Sequence, residues 1–149
     1  MSVAFALHHP GGLHIAPGLQ ESTLLDTYPA LIVQPREPRV APPGSGWTWW
    51  RLAPWSVGGF AVGIELAFLH GTLRECLLFH DDDSRYGRDW SEWSERKERQ
   101  RAKALRTWLA AHGWRPDSYP WGEIWVGHDP RTGMGGGWVR YGGVSTMRP

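Results

Sequence analysis

Four consecutive residues, His80-Asp81-Asp82-Asp83, carry side chains that bind metal ions or transfer protons. Hard cations need several oxygen ligands that converge from a loop of defined geometry. Adjacent carboxylates do not easily point at one ion, and the spacing of a calcium-binding loop is absent. We therefore expect a solvated acidic loop without a metal, whose carboxylates suit a basic partner surface or mimic a phosphate backbone.

Two other groups of histidines could also bind a metal ion or transfer protons. His8, His9 and His14 lack a cysteine or carboxylate beside them, whereas zinc takes three or four ligands in tetrahedral geometry. His128 and Asp129 form a candidate acid–base pair, but Asp129 also opens the turn sequence DPRTG. We favour ordinary histidines in the first group, and in the second an Asp129 carboxylate that accepts hydrogen bonds from the turn backbone.

The candidate nucleophiles also have structural explanations. Cys76 lies in a predicted strand, where we expect a buried thiol. Ser91 and Ser94 lie at the beginning of a predicted helix, where serine caps the backbone. The glycine-rich segment 132–137 lacks the lysine and the strand–loop–helix order of a phosphate-binding loop, so we expect a flexible hairpin tip. The sequence therefore predicts no catalytic residue and no cofactor.

Tryptophan is unusually frequent, with 11 copies in 149 residues. It is enriched among the residues that dominate protein–protein binding energy. In the segment WTWW, a strand places Trp47 and Trp49 on one face and Trp50 on the other. We expect at least one of these three tryptophans to be partly exposed, where it could stack on a carbohydrate, although packing in the core is the default for tryptophan.

Length and composition limit the class of protein. The length fits one domain over residues 1–149, and 41% hydrophobic residues indicate a folded chain. A net charge of +1 gives no general field for nucleic acid. The single cysteine excludes an internal disulfide, and the N-terminus lacks a basic region and a cleavage site. The longest apolar stretch, 60–69, is too short to span a bilayer. We expect a cytoplasmic protein that binds neither membrane nor nucleic acid, and its oligomeric state is not determined by the sequence.

Periodicity predicts the elements that position these residues. Alternating apolar residues in 57–69 and 72–80, joined by His70-Gly71, predict a hairpin at the centre of a sheet, with Leu73, Leu77 and Phe79 on one face. A long helix is predicted over about 90–112, capped by Asp89 with Glu92, with Trp93 and Trp108 inward and 96–103 facing water. Gly113 should end it. Further strands are predicted at 3–7, 13–16, 31–33 and 47–52, helical turns at 19–27, a proline- and glycine-rich loop at 34–46, and a C-terminal hairpin of 121–128 with 137–141.

These elements predict an α+β fold, in which one long helix packs on an antiparallel sheet. Tryptophans 121, 125 and 138 should pair across the last hairpin.

Three segments carry a resemblance to a known class: FAVGIELAFLHGTLRECLLF, DWSEWSERKE and WGEIWVGHDPRTGMGGGWVRY. Together they span roughly residues 57–141. They resemble small cytoplasmic immunity proteins of bacterial polymorphic and contact-delivered toxin systems. The resemblance implies a non-enzymatic inhibitor that binds a cognate protein toxin and occludes it, and it brings no catalytic residue. Under this resemblance we expect a partner-binding site in the loop before the helix, formed by Asp81, Asp82, Asp83, Arg85 and Tyr86, and a second patch of Trp47, Trp49 and Trp50.

Two alternatives stay open. The first is a small-ligand or sugar-binding module that uses exposed tryptophans. The second is an enzyme with an unrecognised site at His128 and Asp129 or in the segment 80–83.

Overall fold

The computed structural model describes residues 3–33, 39–40 and 44–142, and of residues 39–40 only the backbone. Strands β1 (Leu7–His8) and β2 (His14–Ile15) form a small antiparallel sheet, and helix α1 (Glu21–Thr27) follows. The main sheet is antiparallel and contains β3 (Arg39–Val40), β4 (Trp47–Val57), β5 (Phe60–Leu69), β6 (Thr72–His80), β7 (Asp117–Tyr119), β8 (Gly122–Asp129) and β9 (Met134–Tyr141). Its strand order is β3-β4-β5-β6-β9-β8-β7. Helices α2 (Asp83–Tyr86) and α3 (Glu95–Ala111) lie between β6 and β7. This is the predicted α+β fold.

The predicted hairpin of β5 and β6 lies at the centre of the main sheet. His70 and Gly71 both have positive φ, 49° and 84°, as a two-residue hairpin turn requires. The prediction that Leu73, Leu77 and Phe79 share one face of β6 is wrong, however. Partners shift from Phe68–Leu73 to Ala67–Glu75, so Arg74 is an extra residue that reverses the alternation.

Beyond this bulge the buried residues of β6 are Cys76, Leu78 and His80, whereas Leu77 and Phe79 lie half-buried on the opposite face.

One face of the main sheet carries the hydrophobic core. A row of buried residues crosses five strands through Trp50, Leu66, Cys76, Val139 and Ile124. Helix α3 covers it with Leu105, Trp108 and Leu109, and the N-terminal segment adds Phe5, Leu13, Ile15 and Leu24. Each such side chain contributes about 1.5–3 kcal/mol by its burial. The predicted inward position of Trp108 is confirmed.

Helix α3 begins later than predicted. Residues Trp90–Glu92 form a separate 3₁₀ turn, because the Asp89 carboxylate accepts the N–H of Ser91 (2.9 Å). Trp93 is extended, and Ser94 then caps α3 by accepting the N–H of Lys97 (3.2 Å). The Glu92 carboxylate accepts the N–H of Arg88 (2.7 Å) instead of closing a capping box with Asp89.

The predicted inward position of Trp93 is consequently wrong, since it is 39% exposed and Trp90 is 66% exposed. The C-terminal end is as predicted, with Gly113 at φ 85° and the N–H of Trp114 bound to the carbonyl of Leu109 (2.9 Å).

The prediction that residues 96–103 face water is also wrong. Glu98 is 2% exposed and Arg101 is 8% exposed. Glu98 lies against β9, where a Cβ atom on Gly135 would overlap its backbone carbonyl, and Arg101 lies against His80 and the Tyr86 ring. The glycine-rich segment is therefore not a loose hairpin tip, because Gly135 and Gly137 are strand residues that allow α3 to approach the sheet.

The remaining elements differ mainly in length. The strands predicted at 3–7 and 13–16 shrink to β1 and β2, and 31–33 forms part of a 3₁₀ turn followed by one bridge from Ile32 to Leu52. Most of the predicted loop 34–46 lies outside the described residues, and β3 within it pairs with Thr48 and Trp49. None of the helices in the described ranges combines the length and apolar composition that a bilayer crossing requires.

Candidate protein-binding surface

The face of the main sheet opposite α3 is rich in aromatic and charged side chains. Strand register places one row across five strands, in the order Arg51, Glu65, Leu77, Trp138 and Trp125. A second row contains Trp49, Ala67, Glu75, Arg140 and Glu123. We call this surface, together with Trp47 and Phe79, the open face. Apart from the small Ala67, these side chains are half-buried or exposed.

Aromatic pairs mark the two sides of the open face. The rings of Trp47 and Trp49 stack at 5.7 Å, and those of Trp125 and Trp138 stack at 5.9 Å. This confirms that Trp47 and Trp49 share a face and that Trp125 and Trp138 pair across the last hairpin. Trp121 departs from the prediction and instead stacks on Tyr119 at 5.0 Å.

Glycines allow several of these rings to lie along the sheet. A Cβ atom on Gly127 would come within 2.9 Å of the Trp125 indole, and one on Gly63 would overlap the Phe79 ring. The rings therefore cover glycine backbone and leave a broad aromatic surface.

Charged groups lie between the aromatic pairs. The Arg140 guanidinium carbon lies 3.6 Å from the Trp138 ring centroid, and its Nε is 3.4 Å from Glu75 Oε1. Glu123 Oε1 lies 3.9 Å from Arg140 Nη1. Together with Glu65 and Arg51, the open face carries three carboxylates and two guanidiniums. This balance does not favour a phosphate backbone, whose binding depends on excess positive charge.

The acidic loop lies where β6 ends. The Asp82 carboxylate caps α2 by accepting the N–H of Ser84 (3.1 Å) and its hydroxyl, and it pairs with Arg85 Nε (3.2 Å). The hydrogen bond from the Ser84 hydroxyl makes the largest contribution to lowering the pKa of Asp82. Asp81, Asp82 and Asp83 line a shallow cavity of about 430 Å³ with Trp55 and its neighbours. Among the described residues, no three His, Cys, Asp or Glu side chains are grouped to hold a metal ion.

Two of the predicted partner-binding residues are buried. The Tyr86 hydroxyl lies 2.8 Å from His80 Nδ1, and the Arg101 guanidinium lies 4.5 Å from the Tyr86 ring centroid. Trp50 Nε1 donates to the Glu21 carboxylate (2.6 Å). Both side chains stabilise the fold, so Asp81, Asp82, Asp83, Arg85, Trp47 and Trp49 are the predicted residues that stay accessible.

The two predicted patches do not form one compact site. The N–H of Asp81 bonds to the carbonyl of Ala61, which pairs with Ser56 near the end of β4. Trp49 precedes Ser56 by seven residues, or roughly 23 Å at about 3.3 Å per residue. Arg51 and Phe79 lie along this span, with the guanidinium 5.2 Å from the ring centroid, so the open face extends between the patches.

The candidate catalytic groups do not converge. Cys76 is fully buried, and its burial raises the pKa of the thiol to about 12. The Asp129 carboxylate accepts the N–H of Arg131 (2.9 Å), which confirms its predicted turn role. His80 Nδ1 is held by Tyr86, and burial lowers the pKa of His80. His8 and His14 stack on one another at 4.2 Å.

Sequence reasoning missed the contributions of Trp125, Trp138 and Phe79 to a single surface. Their positions alternate with buried Ile124, Val139 and Leu78, a pattern that marks the outward face of a half-buried strand. That pattern is visible in the sequence for β8 and β9, but in β6 the bulge at Arg74 hides it.

Comparison with protein-family models, curated proteins and solved structures found no match to this chain. The chemistry of the surface therefore carries the functional argument.

Proposed function

We propose that this chain is a non-enzymatic inhibitor, an immunity protein that binds a cognate bacterial toxin domain and occludes it. The observation that carries the proposal is the open face, with stacked tryptophans at both sides and charged groups between them. Large amphipathic side chains of this kind dominate binding energy in protein interfaces.

The size of the surface is compatible with a stable complex. Five strands at about 4.8 Å spacing make the open face roughly 20 Å wide, and the span from Trp47 to Trp55 adds roughly 26 Å of length. With the side chains and the adjoining acidic loop, this is of the order of the ~800 Å² that each partner contributes to a standard interface.

The charges favour a basic partner. Asp81, Asp82 and Asp83 adjoin a face that already carries three carboxylates against two guanidiniums. A toxin that acts on nucleic acid or on a nucleotide needs a positively charged groove for its substrate. Carboxylates that enter this groove would occupy phosphate positions, and the opposite charges would accelerate association.

The test is co-expression of this chain with any toxin domain encoded next to it, combined with binding kinetics on the purified proteins. We expect Trp49→Ala with Trp125→Ala to weaken binding by roughly 1,000-fold, since two interface residues that each cost about 2 kcal/mol together cost about 4 kcal/mol. Trp90→Ala is the matched control, because Trp90 is a more exposed tryptophan outside the open face. It should leave binding and toxin suppression unchanged.

The acidic loop needs a substitution that keeps its structure. Asparagine caps a helix as well as aspartate does, so Asp81→Asn, Asp82→Asn and Asp83→Asn together remove charge and retain the α2 cap. We expect slower association, mainly at low salt, with dissociation little changed. Unchanged binding in both open-face and loop variants would refute this surface, and failure to suppress any adjacent toxin would refute the function.

A sugar-binding module is the second candidate, since flat tryptophan rings also stack on sugars. It predicts a rise in melting temperature with a small glycan, which is lost in Trp125→Ala.

A further inference from the structure

The outer edge of β8 is only partly covered by its neighbour. β7 pairs with Gly122–Ile124, and in the described ranges no strand lies beside β8 after Ile124. The carbonyl of Trp125 faces β9, where it lies against Gly137, so the next carbonyl, that of Val126, points away from β9; it accepts a bond from Arg106 Nη2 (3.4 Å). Peptide groups of alternate residues face the same edge, so the N–H and C=O groups of Val126 and His128 form a short row along this edge.

Positive charge lies directly beside that row. Arg99, Lys103 and Arg106 follow one another at helical spacing on α3 and line a cleft of about 190 Å³ with Val126, Gly127 and His128. No carboxylate lines this cleft, although Glu95 pairs with Arg99 at 3.0 Å next to it. The buried Nε2 of His128 has no hydrogen-bond partner. We call this the edge cleft.

We propose that the edge cleft binds an extended acidic peptide segment, which adds to β8 as a short strand. Val126 is 5% exposed and its carbonyl is bonded to Arg106, so Arg106 would move from this carbonyl to a peptide carboxylate as the peptide backbone pairs with Val126 and His128. The other carboxylates would meet Arg99 and Lys103. Strand addition gives affinity through main-chain hydrogen bonds, and side chains give specificity. The edge cleft and the Trp47–Trp49 pair lie toward opposite edges of the sheet, so the proposal does not depend on a toxin partner at the open face.

Two other occupants fit less well. A second copy would bring two basic stripes together if β8 edges paired, and like charges across an interface are unfavourable. A nucleic-acid backbone supplies phosphate acceptors but no row of donors for the strand carbonyls. A peptide strand supplies both donors and acceptors at the spacing of β8.

The first measurement is fluorescence anisotropy with a labelled, capped peptide of sequence TEVEVET at low salt. We expect it to bind, and the lysine counterpart TKVKVKT to bind at least about tenfold more weakly. A variant with Arg99, Lys103 and Arg106 changed together to Gln should bind TEVEVET about tenfold more weakly, since each exposed ion pair contributes only a modest free energy. Arg88→Gln, which removes an exposed charge between α2 and the turn at Trp90, should bind the peptide normally.

The second measurement separates strand addition from general attraction between charges. Only every second N–H group of the peptide would face β8. N-methylation of the residues in that set should abolish binding, and N-methylation of the residues between them should leave binding intact. His128→Pro removes an outward N–H and should weaken binding by about tenfold, whereas His128→Ala keeps that N–H. The peptide series needs no protein variant, so it is decisive even if His128→Pro does not fold.

Several results would overturn the proposal. They are no binding of TEVEVET, equal effects of N-methylation at every position, or equally tight binding of a single-stranded oligonucleotide. Edge pairing between copies, seen as self-association in sedimentation velocity that His128→Pro abolishes, would replace the peptide with a second copy.

Discussion

The buried pair of Glu98 and Arg101 should contribute strongly to stability, because it ties α3 to β6 and β9. Arg101 Nε lies 3.1 Å from Glu98 Oε1, and its Nη1 donates to the carbonyl of His80 (3.2 Å). Glu98 Oε1 also accepts the N–H of Gly135 (3.0 Å). Removing one member of a buried pair leaves an uncompensated charge and costs about 3–5 kcal/mol.

We therefore expect Arg101→Met to lower the free energy of unfolding by about 3–5 kcal/mol, or the melting temperature by roughly 10 °C at about 2–4 °C per kcal/mol. Glu98→Gln should be costly as well, because it leaves Arg101 unpaired. The double variant should cost less than the sum of the two by about 1–3 kcal/mol. Urea unfolding followed by circular dichroism at pH 7 measures all three.

The same helix provides a matched control. Arg99 Nε lies 3.0 Å from Glu95 Oε2, a similar distance, but the two side chains are 64% and 57% exposed. Such helix-surface pairs contribute about 0.3–0.5 kcal/mol. If Arg99→Met and Arg101→Met destabilise the protein equally, burial does not determine the value of the pair and the reasoning fails.

Arg101 also holds the acidic loop, through the carbonyl of His80 and the ring of Tyr86. Amide hydrogen exchange at residues 81–86 should therefore increase in Arg101→Met. Protection that stays equal to that of the parent protein would separate the loop from this cluster.

Two further predictions concern pH and packing. Burial lowers the pKa of His80, so the unfolded chain binds its proton more tightly than the folded chain. The stabilisation from neutral His80 is therefore complete above about pH 6.5 and decreases as pH falls, by at most about 1.4 kcal/mol per pH unit. The free energy of unfolding of His80→Gln should therefore depend less on pH between 7.5 and 5 than that of the parent protein. Equal pH dependence in the two proteins would contradict this. Gly135→Ala should lower the free energy of unfolding by about 1–3 kcal/mol or more, because two backbones meet at this residue. Gly71→Ala has open space around it and should lose about 1–2 kcal/mol from its φ of 84° alone. Thermal unfolding compares the two variants, and an unchanged stability of Gly135→Ala would disprove the close contact.

Local features were predictable where a few neighbouring residues decide them. The turn at His70-Gly71 needs two positive φ angles, and the alternation on either side defines two strands. Gly113 ended the helix as expected, because an αL residue is favoured there. The stacking of Trp47 on Trp49 follows from strand periodicity alone.

The errors arose where a residue depends on a distant partner. The local pattern predicted Glu98 and Arg101 as surface charges. They are buried because Glu98 meets Gly135 of β9, 37 residues further along the chain, and Arg101 meets His80 and Tyr86. Because of the bulge at Arg74, Leu78 lies in the core and Leu77 on the opposite face of the sheet. The local sequence pattern does not predict this bulge. Trp93 lies outside α3 because Ser94, and not Asp89, caps this helix.

The sequence by itself therefore determined the α+β class, the central hairpin and the abundance of tryptophan. Tertiary structure decided which tryptophans remain accessible. Helix α3 packs on one face of the sheet and buries Trp108, and on the same face Trp50 is buried where it donates to Glu21 of α1, while Trp125 and Trp138 stay on the open face. A strand pattern defines two faces, but only long-range packing decides which of them meets water, and that choice placed the candidate interface.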